Sequence, residues 1–171
     1  IPAGIVGFLL EHKIEEIFRG GMLVIAAGLA IMGVVLYLVD KICLQKLTLQ
    51  KITLAQAVII GCCQTLALIP GVSRSGITMT TARALGFTRE AAAKFSFFLA
   101  TPIIAGAAVK HFSDIITHLF NPLFWVGTLV SAVVGLFCIG FLLKYLQKNN
   151  FAIFALYRIA LSIVIVIVYY Y

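Results

Sequence analysis

Residues 69–78 read IPGVSRSGIT. One permanent cation, Arg74, stands there among Ser73, Ser75 and Thr78, behind Pro70-Gly71 and beside Gly76. Apolar runs flank the stretch on both sides. The guanidinium is thus placed at membrane depth, where an arginine costs about 2.5–3.5 kcal/mol even on a lenient insertion scale. A carboxylate, carbonyls, water or an anionic ligand must offset that cost. No Asp or Glu occurs between Asp40 and Glu90, so the segment supplies no acid of its own. It supplies donors instead. Pro70-Gly71 ends one apolar half-helix, with Gly71 giving the turn its backbone freedom. A second half-helix starts near Ser75-Gly76, and the unpaired N–H groups at that start favour a phosphate, as does the helix dipole. Ser73, Ser75 and Thr78 add hydroxyls, and Thr78 lies about one turn past Arg74, so both can face one cavity. Gln64, one to two turns back from the tip, is placed to orient the cradle. The planar fork of Arg74 matches phosphate oxygens. The combination is a phosphate cradle inside a bilayer, and the lipid setting implies a phosphate carried on a lipid headgroup. Two other readings stay open here. Arg74 could pair with a carboxylate on another helix, and the Ser and Thr residues could serve only as helix caps.

Other phosphate chemistries fail on spacing. The Walker pattern G-x-x-x-x-G-K-[ST] is absent. The C-x5-R pattern of cysteine phosphatases fails at Cys43, Cys62, Cys63 and Cys138. Lipid phosphatases of the acid-phosphatase type follow their Ser-Arg with a His at a spacing that falls here on Thr80. The cysteines form no C-x-x-C pair, so neither a disulfide nor a metal framework is expected; in apolar segments they are small hydrophobes.

The elements that position the loop follow from hydropathy. The chain has 171 residues, 63% hydrophobic and 11% charged, against about 45–50% and 25% in soluble domains. It therefore reads as an all-α integral membrane protein, a single polytopic helix bundle. Spanning helices are expected at 21–39, 91–109, 122–143 and 151–171. Residues 1–10 are apolar but too short to span, and read as the remnant of a span in a fragment of a longer protein. Residues 54–68 and 76–86 are short pieces broken by Pro70-Gly71, which makes 54–86 a re-entrant helical hairpin rather than one kinked span. Thr53 and Gln56 have the spacing of a capping box at its start. Residues 110–121 and 144–150 read as polar loops. The net charge is +7, from 13 Lys and Arg against 6 Asp and Glu. These bases are scattered over short loops, as the positive-inside rule requires, and no nucleic-acid partner is expected. With the hairpin re-entrant, Lys41, Lys46, Lys51, Arg89, Lys94, Lys144 and Lys148 share one side, assigned to the cytoplasm. Lys94 and Arg158 read as snorkelling or bundle contacts, and His12, His111 and His118 as interfacial residues.

The stretch GCCQTLALIPGVSRSGIT, residues 61–78, resembles the second signature of the bacterial undecaprenyl-diphosphate phosphatases, the bacitracin-resistance family. The pattern Q-x-x-A-x-x-P-G-x-S-R-S-x-x-T is met by Gln64, Ala67, Pro70, Gly71, Ser73, Arg74, Ser75 and Thr78. AAAKFSFFLATPIIAGA (91–107) and FAIFALYRIAL (151–161) resemble helices that follow it, so the likeness runs through essentially the whole chain. The resemblance implies half of an inverted-repeat fold, two repeats whose hairpin tips meet within the membrane. It implies hydrolysis of undecaprenyl diphosphate to undecaprenyl phosphate and phosphate, recycling the lipid carrier for cell-wall synthesis in the bacterial plasma membrane. Arg74, Ser73 and Thr78 are then the catalytic candidates, and Gly71, Ser75 and Gln64 the substrate-binding ones. The family's first signature, with a glutamate pair, a Ser-rich loop and a His, has no counterpart here. Glu11, Glu15 and Glu16 lack its context. The nucleophile, the general base and the ligands of a divalent cation (Mg or Ca) are therefore expected in a missing N-terminal repeat, the partner of this chain. A homo-oligomer stays open. The rival reading is a transporter or flippase for an anionic lipid or solute, since broken helices aimed at an anion are also transporter features.

Overall fold

A computed structural model describes residues 4, 6 and 21–171 of the chain. The expected remnant span over 1–10 lies, apart from Gly4 and Val6, outside the described residues, as do His12, Glu11, Glu15 and Glu16. The described residues form helices and no named strand. They are α1 (Met22–Ile42), a 3-10 turn (Leu49–Lys51), α2 (Leu54–Cys63) tightening into a 3-10 stretch (Gln64–Leu68), α3 (Arg74–Ala84), α4 (Arg89–Lys110), α5 (Phe112–His118), α6 (Pro122–Lys148) and α7 (Ala152–Tyr170). Four of them, α1, α4, α6 and α7, are long and apolar enough to cross a membrane. Most of α6 is exposed apolar surface, Leu129, Leu136, Phe137 and Phe141 included; a helix with such a face belongs in lipid. The chain is a polytopic helical membrane protein.

Local chemistry sets the helix starts. Thr53 and Gln56 form the reciprocal capping box at α2. The Thr88 hydroxyl accepts from Ala91 N at α4, and Asn121 caps α6 ahead of Pro122. At α3 the cap is Ser73. Gly86, at φ +88, closes α3, with Phe87 N donating to Ala82 O at 3.1 Å.

The segment 54–86 is a helical hairpin whose two ends are tied together. Lys46 N and Leu47 N both donate to Gly86 O at 3.0 Å, and Thr88 N donates to Leu47 O at 2.9 Å. The chain thus enters and leaves the hairpin at one place. Its second arm, α3, threads the middle of the bundle. Ile77 packs with Met32 and Val72, Met79 with Leu36, Ala93, Leu146 and Phe151, and Ala82 with Ile60, Phe87, Ala91 and Ala92. Alongside, α1 packs on α7. Gly33 lets Ala155 and Ile159 approach its backbone, and Ser162 Oγ donates to Ala26 O at 2.7 Å.

Two sequence expectations are corrected here. Residues 110–121 are not a plain loop: α5 occupies 112–118, and Trp125 Nε1 reaches back to Leu119 O at 2.8 Å. Residues 144–150 are mostly helix, because α6 runs on to Lys148. Lys144 and Lys148 mark the edge of the apolar stretch, not the end of the helix: Leu146, between them, is buried against Phe151 and its neighbours.

Candidate functional site: the tip of the helical hairpin

The tip runs from Ile69 to Ser75. Gly71 takes φ +87, and a Cβ there would overlap the Ile25 carbonyl oxygen of α1. Gly28 of α1 is its counterpart, since a Cβ on it would lie 2.7 Å from Pro70 O. The loop is therefore seated backbone against backbone on α1, an approach only glycine permits. Ser73 follows at φ 68 and is the one non-glycine residue with positive φ among the described residues. Such a conformer costs on the order of 1–3 kcal/mol and persists where its surroundings over-determine it. Ser73 Oγ accepts from Gly76 N at 3.2 Å and lies 3.3 Å from Ser75 Oγ.

This conformer turns the start of α3 outward. The first N–H groups of a helix have no intrahelical partner; Ser73 takes that of Gly76, leaving those of Arg74 and Ser75 at the positive end of the dipole. Arg74 and Ser75 are exposed and Ser73 is half-buried. Ser73, Ser75 and Gly76 also border a cavity of about 300 Å³, otherwise walled by Leu29, Leu36, Met79 and Arg158 among others.

Arg74 differs from the other described arginines. Arg83 is fully buried, and its Nε donates to Asp40 Oδ1 at 2.8 Å while its other nitrogens reach the carbonyls of Phe87, Asp40 and Cys43. Arg89 Nε donates to both oxygens of Asp40 at 2.8 and 3.0 Å, and Phe151 N donates to Asp40 Oδ2 at 3.1 Å. One carboxylate thus ties α1, α3, α4 and the start of α7 together at the end of α3 away from the tip. Arg158 Nη2 donates to the carbonyls of Gly71 and Val72 at 2.8 and 2.7 Å. The Arg74 guanidinium has no hydrogen bond or ion pair among the described residues. Of the described carboxylates, Asp40 belongs to Arg83 and Arg89, and Glu90 to Lys94 at 2.6 Å.

The structure brings Gly71, Ser73, Arg74 and Ser75 together, but not Thr78 and Gln64. Thr78 lies one turn past Arg74, but its side chain is buried where that of Arg74 is exposed. It is 1% exposed; its hydroxyl reaches Arg74 O at 3.0 Å and Ser75 O at 3.2 Å, and pairs with Ser96 Oγ of α4 at 2.7 Å. A hydroxyl has a single proton, and helix carbonyls and Ser96 already claim it. Thr78 positions the first turn of α3 against α4. Thr78→Val should therefore cost about 1–3 kcal/mol of stability, and Ser96→Ala combined with it should cost little more, because the Thr78–Ser96 bond is already gone in the single variant. Thermal unfolding of the single and double variants measures this; fully additive losses would contradict it. Gln64 is buried, its Oε1 has no partner, and it lines a different cavity of about 570 Å³ beside Leu99, Pro102 and Ile103 of α4. Sequence reasoning missed the Asp40 hub, Ser96 and the contact of Arg158 with the loop.

The residues described do not fit a divalent-cation site. No three of His, Cys, Asp and Glu come together among them, and Asp40 and Glu90 are committed to basic partners. Hard cations take oxygen ligands, mostly carboxylates and carbonyls, and the tip presents hydroxyls, N–H groups and a cation.

Comparison with known proteins gives the family. The family model described as "Bacitracin resistance protein BacA" matches residues 1–164. A protein of Elusimicrobium minutum (strain Pei191), called "Undecaprenyl-diphosphatase", is 51% identical over 167 residues, covering 98% of this chain and 64% of the relative. Proteins with the same printed name from Caldicellulosiruptor bescii and Moorella thermoacetica are 47% and 44% identical, over 99% of this chain and 64% and 65% of their own lengths. The chain thus spans a little under two thirds of these relatives. With the matched region taking in the hairpin, its tip, three of the long helices and most of the fourth, the chain belongs to the BacA bacitracin-resistance family.

Proposed function

We propose that the chain supplies the phosphate-gripping repeat of a membrane-embedded undecaprenyl-diphosphate phosphatase of the bacterial plasma membrane. In that reaction water adds to the terminal phosphorus, the phosphoanhydride P–O bond breaks, and undecaprenyl phosphate and inorganic phosphate leave. The lipid phosphate returns as the carrier for wall polymers. Arg74, with the N–H groups of Arg74 and Ser75 and the hydroxyls of Ser73 and Ser75, would compensate charge gathering on the phosphoryl oxygens; such electrostatic terms dominate phosphoryl transfer. The observation that carries this reading is the open Arg74 at a helix N-terminus, in a bundle whose other described arginines hold protein oxygens. The relatives' printed name supports the same substrate. The nucleophile, the general base and any divalent cation would come from the repeat that carries the family's first signature.

The test uses the full-length protein in detergent with undecaprenyl diphosphate. Release of inorganic phosphate with no second compartment present is the expected result. Lipid translocation in liposomes with no phosphate released would instead make the protein a carrier.

A further inference from the structure

We propose that Arg158 of α7 is a positioning residue: seated on the carbonyls of Gly71 and Val72, it holds the hairpin tip in the conformation that turns the donors of Ser73, Arg74 and Ser75 toward an anion. The kinetic part rests on the phosphatase reading; the structural part does not.

Three observations carry it. First, Arg158 Nη2 bonds the two carbonyls that immediately precede the positive-φ residue, at 2.8 and 2.7 Å. The Val72 carbonyl and the Ser73 N–H share one rigid peptide plane. Fixing that oxygen fixes the plane whose rotation would relax Ser73 from φ 68. Second, the contact is built into α3. A Cβ on Gly76 would collide with Arg158 Nη1 and lie 3.3 Å from Ser73 Cβ. The bare Cα is what lets the guanidinium lie against the first turn. Third, Arg158 is 9% exposed and its Nε has no partner, while the side chain walls the cavity that Ser73, Ser75 and Gly76 border. A guanidinium that only joined α7 to the bundle would use its donors fully, since a buried donor without a partner is costly. The carbonyls of Gly71 and Val72 would also repel an anion at the tip. Arg158 occupies both and leaves a cation behind the cradle.

The experiment compares full-length wild type with Arg158→Met, Arg158→Lys, Gly76→Ala and the Gly76→Ala/Arg158→Met double variant in detergent. Hydrogen exchange is read over residues 69–78 and over α1 and α4, together with kcat and KM for phosphate release. Arg158→Met should speed exchange at 69–78 by about 10-fold or more, leaving α1 and α4 unchanged. It should lower kcat by about 100-fold with a much smaller change in KM, as a misplaced catalytic group does. Arg158→Lys, a point charge without the fork, should recover less than about a tenth of the loss. Gly76→Ala should reproduce the Met variant, and the double variant should be no worse than Arg158→Met, because the missing guanidinium leaves room for the new methyl. Wild-type exchange and kcat in Arg158→Met would overturn the proposal, as would faster exchange throughout the bundle. If Arg158→Met fails to fold, Arg158→Lys and Gly76→Ala carry the same readouts. If wild type releases no phosphate, the phosphatase reading falls and local exchange at 69–78 still decides the role of Arg158.

Discussion

Full-length protein carrying Arg74→Ala is expected to release phosphate from undecaprenyl diphosphate about 10³-fold more slowly than wild type, with melting temperature almost unchanged. The size follows from the role: loss of an arginine that meets phosphoryl charge costs about 10³–10⁵ where measured, and loss of one preorganised donor about 10²–10³. The unchanged melting follows from the structure. Arg74 is exposed and its guanidinium bonds nothing among the described residues, and substitutions of that kind shift stability by only about 0.5 kcal/mol. Arg74→Lys should recover little, because an ammonium cannot make two parallel bonds to one phosphate. Phosphate release and thermal unfolding on the same preparations separate the two effects. Normal turnover by the Ala variant would remove Arg74 from the mechanism.

The largest stability effect is expected at the opposite end of α3. Asp40→Ala leaves Arg83, which is fully buried, and Arg89 without their shared anion. Breaking a buried pair by removing one partner costs about 3–5 kcal/mol, because the charge left behind is uncompensated. The Phe151 N–H at the start of α7 loses its acceptor as well. Asp40→Asn should fall between the two, keeping an acceptor but not the charge. Arg83 lies nine positions beyond Arg74, roughly 14 Å along the helix, so turnover per folded molecule should change far less than stability. Thermal unfolding in detergent measures the first and phosphate release normalised to folded protein the second. An Asp40→Ala protein that melts with wild type would show the hub to be dispensable.

How far these features could be read from the sequence depends on the range of the forces that set them. The tip was legible because its signals are local. Proline and glycine break the helix, a serine caps the next one, and an arginine with no acid nearby in sequence demands a partner. The four long helices were legible because hydropathy sums over about twenty residues. The end of α6 was misjudged because Lys144 and Lys148 mark the limit of the apolar stretch, whereas a helix can continue past it when a residue such as Leu146 still packs. Thr78 was assigned to the cradle from helical spacing, which says which residues share a face but not what lies opposite; Ser96 on α4 lies opposite. Gln64 sits in the motif but faces the α4 side. Asp40 with Arg83 and Arg89, and Arg158 with Gly71 and Val72, join residues far apart in sequence, and a single sequence does not encode such pairings locally. Arg158 still leaves a trace: an ionisable residue inside an apolar helix must find a partner, and of the two readings, snorkelling or a bundle contact, the structure shows the bundle contact, on Gly71 and Val72.

The most direct test is a structure of the full-length protein in a lipid nanodisc with a non-hydrolysable methylene-bridged analogue of undecaprenyl diphosphate. The expected result is the Arg74 guanidinium within about 2.7–2.9 Å of the phosphonate oxygens, at the N-terminus of α3. A guanidinium bonded instead to a carboxylate of the protein, with the phosphonates bound elsewhere, would contradict the account.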